Sequence, residues 1–216
     1  MMNIARTISS ALCFCLLASV ALSVAAQSAG YTKLNVKGRV QLEVPSDWTI
    51  SDAKQRKRVK ELGEKLIGIP NQHTASLAAQ SYPAPPRTMV RVSFIPMEPP
   101  LFQADVRQEV QANKQQVLKD LADVWRDESP TMWAGLAKTG VKEVGRPRFA
   151  AEPIGGQTAM IISYGRTSTA NPAETMRVTQ HHVPLDAEKA LITISYIEGD
   201  PQASAAHNRL KGSIVI

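Results

Sequence analysis

Residues 155–166 read GGQTAMIISYGR, two glycines followed by a run of β-branched and aromatic side chains. Glycine takes left-handed backbone angles at little steric cost, so Gly155-Gly156 reads as a tight turn feeding a strand over Gln157–Arg166. Two further runs follow, TMRVTQHHV at 175–183 and ALITISYI at 190–197. Short turns holding Pro, Asp and Asn join them, which is the pattern of an antiparallel meander. Just upstream, Val141–Ala150 is broken by Gly145 and Pro147, as in an edge strand or a bulged one.

Working outward, TMVRVSFI at 88–95 alternates Val90, Val92 and Phe94 with Met89, Arg91, Ser93 and Ile95, the period of a strand. Pro96, Pro99 and Pro100 are expected to end it. Residues 74–80 are expected to add a strand before the proline-rich stretch that starts at Tyr82. At the front, YTKLNVKGRVQLEV (31–44) reads as two short strands around a turn at Lys37-Gly38, with Val40, Leu42 and Val44 on one face. The turn Pro45-Ser46-Asp47-Trp48 should return Trp48 to the core as a packing anchor.

Three helices punctuate these strands. Asp52 can cap a helix over Asp52–Ile67, with Gln55 three residues on as a capping-box partner and Gly68 as its stop. At about 100° per residue, Val59, Leu62 and Leu66 form one narrow apolar stripe. Lys54, Lys57, Arg58 and Lys65 lie on a separate face with Glu61 among them. A second helix over Ala104–Asp127 carries Val106, Val110, Val117, Leu121 and Val124, and Ser129-Pro130 should terminate it. Thr131–Lys138 then makes a further short turn with Trp133 as packing. Asp200-Pro201 opens a last helix as cap and first residue, with Leu210 and Ile214 packing it down.

The first thirty residues set the compartment. Arg6 is the single charged side chain before Lys33, an apolar run spans Ala11–Leu22 (ALCFCLLASVAL), and small residues follow at Ser23–Ala26. That is the layout of a cleaved secretory signal peptide over residues 1–26, cut after Ala25 or Ala26. A lipoprotein is disfavoured because Phe14 precedes Cys15. Both cysteines, Cys13 and Cys15, fall in the leader. Residues 27–216 therefore carry no thiol, which excludes disulfides, thiolate catalysis and cysteine-based zinc sites. That stretch is a usual length for one domain.

The formal net charge is +6, or +5 once Arg6 is removed with the leader. Such a surplus favours anionic partners. Nucleic acid is a poor candidate in an exported protein, and the aromatic content of 5% provides few stacking platforms.

No catalytic or metal-binding constellation emerges. His181 and His182 are neighbours on a predicted strand, so they point to opposite faces and do not converge on one ion. No Ser sits in a Gly-x-Ser-x-Gly elbow, and Gly155-Gly156 lacks the remaining residues of a phosphate loop. No cofactor is implied. Asp127-Glu128 reads as a solvated helix end.

Taken together, Val-Pro-Ser-Asp-Trp at 44–48, Gly-Gly-Gln-Thr-Ala at 155–159 and a last helix ending in Gly212-Ser213-Ile214 resemble the PsbP/DcrB-like superfamily, whose fold is shared with a Ran-binding nuclear import factor. The resemblance spans residues 31–216. It implies an α+β domain over 27–216 with a central antiparallel sheet flanked by helices, an α/β/α sandwich. It also implies a non-enzymatic binding or assembly module, often at a membrane surface.

The expected function is thus a periplasmic module binding a protein or an anionic envelope component, including peripheral membrane contact. Lys54, Lys57, Arg58 and Lys65 form the expected anionic-partner face. Two rivals stand beside it. One is an envelope-directed hydrolase using His181 or His182 with distant partners. The other is a small-ligand or lipid carrier, which requires an apolar cavity between helix and sheet.

Overall fold

The computed structural model describes residues 30–67, 74–81, 86–168 and 171–216. The leader, Gly68 and Tyr82–Pro85 lie outside the described residues, as does the side chain of Leu66. Strands β1 (Tyr31–Val36) and β2 (Val40–Pro45) pair as a separate two-stranded hairpin. The remaining strands are β3 (Thr49–Ile50), β4 (Leu77–Gln80), β5 (Thr88–Leu101), β6 (Glu143–Ile154), β7 (Gln157–Thr167) and β8 (Thr175–Ile197). They form one sheet in the order β3-β4-β5-β8-β7-β6, with every pairing antiparallel. The helices are α1 (Ala53–Ile67), α2 (Gln103–Ala137) and α3 (Pro201–Ser213).

Turn chemistry explains the meander. Gly155 and Gly156 both adopt positive φ (57° and 84°) and close the β6–β7 hairpin. β8 is 23 residues long, yet the Glu198 N–H donates to the Thr175 carbonyl at 2.8 Å across its ends. A straight strand of that length would span roughly 76 Å, so β8 doubles back. Asp186, at φ 63°, sits at the bend. The first arm pairs with β7 through residues 175–182 and the second with β5 through residues 188–196. The two runs read from the sequence are these arms. β6 is the sheet edge, with a register shift between Val144 and Arg148 that accommodates Gly145 and Pro147.

The sheet buries apolar side chains on both faces, with helices on each side, so the α+β architecture is the expected one. On one face, Val90, Val92, Ile192 and Ile194 pack with Val40, Leu42 and Val44 of the hairpin and with Leu210 and Ile214 of the α3 region. Trp48 belongs to this cluster at 9% exposure, as expected of a packing anchor. Asp200 caps α3, its Oδ1 accepting from the N–H groups of Gln202 (2.9 Å) and Ala203 (3.0 Å). On the other face, Ile162, Tyr164, Met176, Val178 and Ile197 are covered by Leu121, Trp125, Met132 and Trp133 of α2. Trp125 and Trp133 lie 4.9 and 5.6 Å from the Tyr164 ring.

Two expectations need correction. α2 does not stop at Ser129-Pro130 but continues through Pro130 to Ala137. Trp125 on one side of Pro130 and Met132 and Trp133 on the other pack on the same cluster, which offsets the lost backbone hydrogen bond. Its one non-helical residue is Asn113, at φ −135°. β5 also runs beyond Ile95, through Pro96 to Leu101, with a register irregularity that carries the prolines at the β8 bend.

Candidate functional site

The Asp52–Gln55 capping box forms in full. The Gln55 N–H donates to Asp52 Oδ1 at 2.7 Å and the Asp52 N–H donates to Gln55 Oε1 at 2.9 Å. This satisfies two backbone donors at the start of α1 and fixes where the helix begins. It also fixes which side chains, at 3.6 residues per turn, turn inward. Those are Arg56, Lys60, Gly63 and Glu64, the partly buried positions of α1. Val59 and Leu62 point outward, 46% and 56% exposed.

The described part of the stripe, Val59 and Leu62, therefore does not meet the core. Among the described side chains of α1, none is buried. Helical periodicity relates residues to one another without saying which arc meets the protein, and the arc that does so here is basic.

The four expected cations are all exposed. By helical geometry, Lys54, Arg58 and Lys65 share one arc directly beside Val59 and Leu62. Lys57 stands a step away and pairs with Glu61 at 3.9 Å. The result is a solvent-facing arc, apolar on one edge and cationic on the other.

Beneath α1 the long inward side chains hold the helix off the sheet, leaving a crevice of about 240 Å³. Its walls include Arg56, Lys60 and Gly63 from α1, Ala78 and Gln80 from β4, and Met89, Arg91 and Ser93 from β5. Arg56 Nη1 donates to the Ser51 carbonyl at 2.5 Å, while its Nε is buried without an acceptor. Lys60 pairs with Glu64 at 3.5 Å. Among the described residues, neither Arg56 nor Arg91 has a carboxylate in ion-pair range, and no acidic side chain lines the crevice. Arg166 on the same sheet face is held below the usual guanidinium range by burial, with Tyr164 opposing and Arg91 reinforcing the shift.

His181 and His182 point to opposite faces, as expected for strand neighbours. His181 is 0% exposed on the α3 side. There it lines a second cavity of about 210 Å³ with Ser163, Thr179, His207 and the charged rim of Arg148, Glu152 and Lys211. Its Nδ1 donates to the Ile192 carbonyl at 3.3 Å, which leaves Nε2 as an acceptor with no partner. Burial lowers its pKa to about 4 despite the Ile192 bond, with Lys211 and His207 adding to the fall. Burial does the same to His182, again to about 4.

A general base works best with a pKa near the operating pH, and at about 4 both rings are weak bases near neutrality. Ser163 Oγ is bonded to Thr179 Oγ1 at 3.2 Å. Among the described residues, no Ser or Thr hydroxyl is bonded to a histidine ring. No group of three His, Cys, Asp or Glu side chains gathers among them either.

No protein-family model matches the chain, and no curated protein matches it. Among solved structures it is similar to cyanobacterial PsbP from Synechocystis sp. PCC 6803, at 11% identity and a TM-score of 0.46. That similarity covers 87% of this chain and 93% of the cyanobacterial one. It is also similar to a crystallised protein from Bacteroides thetaiotaomicron VPI-5482, at 10% identity and a TM-score of 0.42 over 86% of this chain. The match covers 48% of that protein, so the chain spans about half its length. Both likenesses concern the fold.

Proposed function

We propose that this chain is an exported, non-enzymatic binding module of the cell envelope that docks on an anionic surface through α1. In this reading residues 27–216 form one domain, released into the periplasm from the leader at 1–26. The observation that carries the docking element is the exposure of Val59 and Leu62 beside Lys54, Arg58 and Lys65. No helix among the described residues is long and apolar enough to cross a membrane. A helix with an apolar edge and a basic flank lies in a bilayer interface rather than through it.

The magnitudes suit reversible attachment. Covering two half-exposed aliphatic side chains contributes about 2 kcal/mol. Three cations near an anionic leaflet contribute about 1 kcal/mol each. Neither contribution holds firmly alone, and the charge part is screened by salt.

The test is co-sedimentation of residues 27–216 with vesicles. Binding is expected to phosphatidylglycerol-containing vesicles and not to pure phosphatidylcholine, and to fade at about 0.5 M salt. The triple variant K54Q/R58Q/K65Q should lose on the order of 100-fold in partitioning, the equivalent of about 3 kcal/mol. Equal binding to both vesicle types would sink the proposal.

A further inference from the structure

The crevice under α1 is chemically distinct from the outer arc. Arg56, Lys60 and Arg91 line one space, and Glu64, paired with Lys60, is the carboxylate beside them among the described residues. Gathering Arg56 and Arg91 at one space, with no carboxylate among the described residues in ion-pair range of either, is costly. An oxyanion relieves that cost. Seated there it neutralises the cluster, and guanidinium groups match phosphate oxygens in fork geometry.

Beside the polar Ser51, Gln80 and Ser93, the rest of the lining is apolar. Val59 lines the crevice from the helix and Met89 from the sheet, with Ala75, Ala78 and Ala79 between. Because Val59 also belongs to the outer stripe, the apolar wall runs from the crevice to the docking edge. Gly63 keeps the space clear: a Cβ built there meets nothing within 4 Å, although glycine inside a helix is unfavourable against alanine. The volume accommodates a headgroup and the first methylenes of a chain, and is too small for a two-chain lipid body.

We infer that this crevice binds the phosphate headgroup of a single acidic amphiphile, with the oxyanion between Arg56, Lys60 and Arg91 and the start of its acyl part against Val59 and Met89. The site deepens the docking proposal by naming the lipid chemistry that α1 reads, but its residues are separate from Lys54, Arg58 and Lys65.

The experiment uses residues 27–216 and dihexanoyl phosphatidylglycerol below its micellar concentration, followed by calorimetry and by NMR shifts of Gly63 and Ser93. Saturable binding is expected, weakened at least tenfold in R91Q and in G63L, whose Cβ meets no atom within 4 Å. The melting temperature of G63L should not fall. Inorganic phosphate should bind at least tenfold more weakly than the lipid. K54Q/R58Q/K65Q should retain binding of the soluble lipid while losing vesicles, which separates failure of this site from failure of the docking arc. No saturable binding, unchanged affinity in G63L and R91Q, or phosphate binding as tightly as the lipid would each overturn the inference.

Discussion

His181 and His182 show how one strand places identical side chains in different surroundings. The alternation that sends them to opposite faces was legible, because it follows from strand geometry alone. The depth of burial was not, because it depends on elements, such as α3 over His181, that arrive from far along the chain. Both rings have their pKa lowered from 6.5 to about 4 by burial. A folded-state value below the unfolded one means the unfolded chain binds more protons between pH 6.5 and 4. Stability is then fully present above about 6.5 and is lost as pH falls through that window, by about 1.4 kcal/mol per pH unit per histidine. Urea denaturation at pH 7 and pH 4.5 should show this loss, and H181Q/H182Q should flatten most of it. His207, also lowered by burial, leaves a residual slope. The same double variant is expected to leave vesicle binding unchanged, since neither histidine belongs to α1 or lines the crevice beneath it.

At the scale of elements, α1 and α2 were each half legible. The cap of α1 and its two stripes could be read from Asp52, Gln55 and the residue spacing. Its orientation could not, because an amphipathic pattern has the same period whichever arc faces inward. If the stripe serves a surface rather than the core, V59S/L62S should change the unfolding free energy by no more than about 0.5 kcal/mol while abolishing most vesicle binding. A stripe that stabilised the fold would instead lower the denaturation midpoint. For α2, Pro130 signalled a stop, since proline breaks one backbone hydrogen bond. The helix continues because Trp125, Met132 and Trp133 pack on one cluster across it. Pro130 is exposed, so P130A should restore the bond without disturbing packing and raise stability by about 2 kcal/mol. Chemical denaturation measures the gain.

For the molecule as a whole, the parts that could be read early are those specified by local chemistry. Gly155-Gly156, Lys37-Gly38 and Asp200-Pro201 mark their turns and cap with residues the backbone geometry requires. The β1–β2 hairpin is an instructive exception: its strands were legible, but its separation from the main sheet was not. That arrangement is set by Val40, Leu42 and Val44 packing across the sheet face with Leu210 and Ile214, contacts distant in sequence. The candidate site was legible as a set of cations on α1 and illegible as a crevice. Arg56 and Lys60 meet Arg91 once β5 and α1 have been brought together, and nothing local to any of them signals it.

The absence of cysteine from residues 27–216 permits the most direct test of docking. A single cysteine replacing Leu62, carrying an environment-sensitive fluorophore, should shift its emission to the blue on phosphatidylglycerol vesicles and revert at high salt. A matching label at Asn208 on α3, across the sheet, should not respond. No shift at position 62, or an equal shift at both positions, would contradict the assignment of α1 as the element that meets the surface.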